Sequence, residues 1–83
     1  MKQQNKMNTK KEILLHLSER IAKISYDIAY HGYKGDDTIK FNLLSERKLI
    51  ISICTSIGVK NEMIDDWISK GNNELDKDIQ ATN

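Results

Sequence analysis

Leu14, Leu17, Ile21, Ile24 and Ile28 recur at spacings of three, four, three and four. That rhythm is the seam of a helix packing lengthwise on others, and it predicts a helix over about residues 10–31. Ile13, Ala22 and Ala29 widen the stripe. Thr9 followed by Glu12 forms a capping box, T-K-K-E, immediately before the run. Gly32 is placed to end the helix in a left-handed conformation. Residues 1–9 are polar and lack periodicity, so they read as a flexible arm.

His31 to Asp37, HGYKGDD, is the clearest loop. Asp37 can cap the next element, and Thr38 to Leu44 fits either a short helix or an extended connection. Ser45 is a candidate N-cap for a helix ending at Ile57. Within its last part, Ile50 to Ile57, the packing residues are Ile53, Cys54 and Ile57. Gly58 then permits a tight turn with positive φ, and Val59 returns to the core. A further helix starts at Lys60 or Asn61, carries Ile64, Trp67 and Ile68 on one side, and is expected to end at Gly71. Residues 72–83 read as a polar tail with a frayed turn around Leu75 and Ile79. The fold class is all-α: one small helical domain over residues 10–71, a long amphipathic N-terminal helix packed on a helix-turn-helix-like pair.

Composition agrees with this and narrows the function classes. The 83 residues include no proline and four glycines, which favours uninterrupted helix. A domain of this length has a thin core, so self-association, most simply as a homodimer through the long helix, is a natural expectation. No apolar run approaches the roughly 20 residues needed to span a bilayer, and the polar N-terminus has no signal-peptide h-region. Cys54 is the single cysteine, which excludes an internal disulfide. With only His16 and His31 as imidazoles, a metal site has little to draw on. A cytoplasmic location is expected. The net charge of +1 gives no global pull towards nucleic acid. Residues 1–34 nevertheless hold seven Lys/Arg against three Asp/Glu, and residues 35–83 hold six against nine. Solvated helix faces are the simplest account of that asymmetry.

The stretch IISICTSIGVKNEMIDDWISKG, residues 50–71, resembles the helix-turn-helix motif of bacterial and phage regulators. The apolar residues Ile53, Ile57, Val59, Ile64 and Trp67, small Cys54 and Gly58 occupy the positions that set the crossing angle in that motif. The resemblance implies a DNA-facing second helix presenting Lys60, Asn61, Glu62, Asp65, Asp66 and Ser69. Duplex affinity comes mainly from Lys and Arg neutralising phosphates, and three acids oppose one lysine on this face. A DNA-binding regulator would need Lys10, Lys11, Arg47 and Lys48 to compensate beside Lys60 and Asn61. DNA is therefore the alternative partner, disfavoured by Asp65 and Asp66.

Catalytic chemistry finds no support. Asp65 and Asp66 are adjacent on a helix and diverge, GYKGDD lacks a P-loop ending, and Cys54 has no activating neighbour in sequence. No cofactor is implied. Tyr26, Tyr30 and Tyr33 cluster at the end of the long helix, with Tyr26 and Tyr30 on one face and His31 and Lys34 beside them. Either they close a small core or they form a protein-binding patch, for which tyrosine is favoured. The leading expectation is a non-enzymatic regulator that binds another protein through Tyr26, Tyr30 and Tyr33 and the acidic Glu62, Asp65 and Asp66. Its small size and Ile/Lys/Asn-rich usage resemble accessory proteins of phages, plasmids and low-GC bacteria.

Overall fold

A computed structural model describes the backbone of residues 2–82 and the side chains of residues 9–82. Three helices make up the chain: α1 (Lys2–Lys34), α2 (Asp37–Ser56) and α3 (Asn61–Thr82). At 1.5 Å per residue the 33 residues of α1 reach about 50 Å, which matches the longest dimension of the molecule, 49 Å. The helix α2 turns back along α1, and α3 runs parallel to α1 on another side of it. Both pack on α1, and they meet each other little beyond their connecting turn.

The seam does what its spacing predicts. Ile21, Ile24 and Ile28 are buried, and Leu14 and Leu17 pack at the edge of the cluster formed by Ile21, Cys54, Val59 and Ile64. Ile13 stands exposed. At 20 and 22 residues, α2 and α3 are long enough to cover Ile21, Ile24 and Ile28 within one chain.

Several boundaries differ from expectation, each for a physical reason. The helix α1 opens at Lys2, so Thr9 lies inside it and the T-K-K-E box is not its start. Its end is at Lys34: Gly32 stays helical, and Gly35 takes the left-handed turn with φ of 82°. The Asp36 N–H donates to the His31 carbonyl (2.9 Å) and the Gly35 N–H to the Gly32 carbonyl (3.3 Å), the paired bonds of a Schellman end. The residues in that motif that usually make an apolar contact are here His31 and Asp36, whose Nδ1 and Oδ2 stand 3.3 Å apart. Asp36, not Asp37, occupies the N-cap of α2, without a side-chain cap bond.

The stretch Thr38 to Leu44 is helical, and Ser45 lies in the middle of α2 instead of at an N-cap. The helix expected from Ser45 to Ile57 is thus the final part of a 20-residue one. Its end repeats the first motif: Gly58 has φ of 91°, the Gly58 N–H donates to Thr55 and the Val59 N–H to Cys54. Here the apolar contact is present, since Cys54 and Val59 share the core cluster. Ile53 and Ile57 do not join them and remain about half exposed.

Gly71 is the largest correction. It does not end α3, which continues to Thr82 and buries Leu75. A Cβ on Gly71 would overlap the Ala22 carbonyl oxygen and stand 3.0 Å from the Tyr26 backbone nitrogen. The glycine is there to let two helix backbones approach closely, and the α3 residues beyond it come to lie alongside the tyrosines of α1.

Candidate functional site

Tyr26, Tyr30 and Tyr33 succeed one another at spacings of four and three on α1, so a single face carries all three. The close approach at Ala22 and Gly71 sets α3 directly beside that face. Leu75, Asp78 and Ile79 then complete an open groove with the tyrosines and Lys34. Tyr26 is partly covered at its base, and its hydroxyl donates to Asp78 Oδ2 at 2.6 Å, tying the two helices together. That bond to a carboxylate holds the phenol above its ordinary pKa of 10.0, with desolvation and the nearby negative charge adding to it.

The rim is different in character. Lys34 Nζ lies 5.8 Å from the centre of the Tyr30 ring, within cation–π range. The Tyr30 ring meets the edge of His31 with centroids 5.3 Å apart. Tyr33 is 67% exposed and projects into solvent. The groove therefore has an apolar floor from Leu75 and Ile79, exposed aromatic walls and one charge of each sign at its mouth.

The acidic candidates lie elsewhere. Glu62, Asp65 and Asp66 are exposed on the first turns of α3. The parallel course of α1 and α3 puts them about 20 Å from the tyrosines along the helix axis. They form a separate patch, and acids at a helix N-terminus are favoured by the helix dipole whatever else they do.

Among the basic candidates, Lys10, Lys11, Lys60 and Asn61 are exposed at the same end of the bundle as those acids, and Lys48 is exposed on α2. Arg47 stands apart from these. It is half-buried between α2 and α1, and its Nη1 donates to the hydroxyl of Ser25, the one fully buried polar side chain among the described residues. Burial lowers its pKa from the ordinary value, and one of its five N–H donors is engaged within the fold.

Cys54 is fully buried, and desolvation pushes its thiol up, which keeps it inert. No group of three or more His, Cys, Asp or Glu is arranged to hold a metal among the described residues. No helix among them is long and apolar enough to cross a membrane.

The α3 wall of the groove is absent from the sequence-based expectation because Gly71 reads there as a terminator. A signal for it is nevertheless present: Ile64, Ile68, Gly71, Leu75 and Ile79 keep helical spacing straight through the glycine. Comparison with protein-family models, with curated proteins and with solved structures finds no match to this chain.

Proposed function

We propose that the protein is a small, non-enzymatic regulator of the cytoplasm that acts by binding another protein through the tyrosine groove. The observation that carries this reading is the placement of Tyr26, Tyr30 and Tyr33 on one face of α1, opposite Leu75 and Ile79. Tyrosines in a thin-cored protein would serve stability best inside, yet Tyr33 is 67% and Tyr30 36% exposed. A rigid aromatic wall over an apolar floor supplies contact area at low ordering cost. The acidic patch of Glu62, Asp65 and Asp66 is a second docking surface, suited to a basic partner. Control of transcription, lysis or host functions by a phage, plasmid or bacterial accessory protein fits this kind of molecule.

The alternative is a DNA-binding regulator in which the end of α2, the Gly58 turn and α3 act as a helix-turn-helix. Its support is the exposure of Lys10, Lys11, Lys60 and Asn61 at one end. The engagement of Arg47 with Ser25 and the exposure of Ile53 and Ile57 weigh against it.

The deciding experiment pairs affinity capture on wild type and Tyr30→Ala/Tyr33→Ala bait with a duplex titration at low and moderate salt. The protein-binding reading expects a captured partner that the double variant loses, and no duplex binding. Salt-sensitive duplex affinity unaffected by the tyrosine variant would establish the DNA reading instead.

A further inference from the structure

We infer that the tyrosine groove is one end of a longer trough between α1 and α3, which seats a single amphipathic α-helix of the partner protein. This rests on the reading of the groove as a protein-binding surface and names the form of what binds there.

The trough is continuous through shared side chains. Tyr26, at the near end of the groove, also lines a second depression with Ala22, Lys70 and Gly71. Ala22 and Lys70 in turn line a third with Leu15 and Trp67. Among the described residues, none of α2 lines any of the three. From Leu15 to Tyr33 the course covers about 18 residue steps of α1, or about 27 Å. Its waist is the backbone approach of Gly71 to Ala22, low enough for a third rod to lie over both helices. An apolar or aromatic side chain stands free at each end: Leu15 is 56% and Tyr33 67% exposed. The core cluster does not use Leu15, although it uses Leu14 and Leu17.

The walls select a helix as the occupant. Both are helices, whose backbone groups along these turns already bond within the helix. An extended segment would press unpaired N–H and C=O groups against walls that offer them nothing. A helix arrives with its own backbone satisfied, and a valley between two parallel helices is the seat a third one takes in a bundle. The charges bordering the trough then select which helix. Glu19 stands at the Trp67 end, Lys23 and Lys70 at the waist, Glu74 and Asp78 beyond it, and Lys34 at the far end. An occupant with acids over Lys23 and Lys70 and bases over Glu74 and Asp78 matches these bands. Four bands of alternating sign are not symmetric end to end. A helix laid in reverse, or slid by one band, therefore meets like charges, so the order sets direction and register.

Photo-cross-linking of the full chain tests this, with a benzophenone amino acid in place of exposed Leu15 in one protein and of exposed Tyr33 in another. Each is irradiated with the partner that the wild type captures. Both should label one segment of that partner, at residues about 18 apart in its sequence. A separation of about 8 means an extended occupant. Labels in unrelated segments, or none from Leu15, mean that nothing spans the trough. Either result overturns the inference and leaves the tyrosine groove as the binding site, whereas a wild type that captures no protein overturns both. The charge order is read on the labelled segment, made as a synthetic peptide. Lys23→Glu/Lys70→Glu should weaken its binding by about tenfold, with Lys48→Glu on α2 as the control. Equal affinity for wild type and double variant overturns the matching at the waist.

Discussion

Gly71 lies so close to the Ala22 carbonyl that no side chain fits between α3 and α1. The nearest atoms are backbone on both sides, so nothing can rotate away. The contact fixes the distance between the two helices and, through it, the width of the tyrosine groove two turns further on.

Gly71→Ala should therefore destabilise the fold, although alanine is the better helix former by about 1 kcal/mol. Overpacking against backbone costs about 1–3 kcal/mol or more and should outweigh that gain. In a domain of this size each kcal/mol lowers the melting temperature by about 4–8 °C. A thermal melt monitored by circular dichroism reads the sign directly.

The other glycines separate by mechanism. Gly35 and Gly58 have open space around them, but their φ values of 82° and 91° penalise any Cβ. Alanine at either should cost roughly 1–2 kcal/mol. Gly32 is helical and faces only the flexible Lys40 side chain at 3.6 Å, so Gly32→Ala should stabilise by about 0.5–1 kcal/mol. Opposite shifts in denaturant midpoint at neighbouring glycines 32 and 35 would be the signature. A loss at Gly32 would mean that the helix ends there after all.

Ser25 depends on Arg47. Arg47→Met removes the donor facing a buried hydroxyl and should cost about 1–3 kcal/mol. Ser25→Ala removes the need for that donor, so the double variant should lose less than the sum of the singles. Urea unfolding of the four proteins, closed as a cycle, gives the coupling.

Tyr26 links stability to alkaline pH. Its phenol is raised in the folded state, so the neutral form is favoured by folding. The contribution is fully present below the unfolded pKa of 10.0 and is lost as pH rises through the folded value. Ultraviolet titration should show a late-ionising phenol from Tyr26. Tyr26→Phe should remove that late step, and with it one source of the alkaline loss of stability.

Much of the architecture was legible in the residues themselves. The Leu14-to-Ile28 seam and the Gly58 turn stand where their spacing puts them, because periodicity and left-handed glycines are local signals. The errors cluster where one residue type serves two ends. A glycine in a helical pattern reads as a terminator, and only the position of Ala22 on another helix reveals Gly71 as a contact. Arg47 has the same ambiguity: a basic residue before an apolar run suggests a surface, whereas its partner Ser25 lies 22 positions away. Of the site, the α1 face was readable from Tyr26, Tyr30 and Tyr33. The α3 wall was not, since Leu75 and Ile79 sit in a stretch whose polarity masks its spacing.

The arrangement of two helices on a shared third one also sets how the molecule opens. Because α2 and α3 rest chiefly on α1 and share only the cluster at Cys54, Val59 and Ile64, each is expected to loosen first at the end away from that cluster. Amides in the exposed turns of α2 and α3 then exchange through these separate partial openings. Those around Ile21 and Ser25 become labile only when both helices have left. Hydrogen exchange would accordingly grade the molecule from a slow centre in α1 outward, and a ligand seated between α1 and α3 would slow one flank while leaving the other at its own pace.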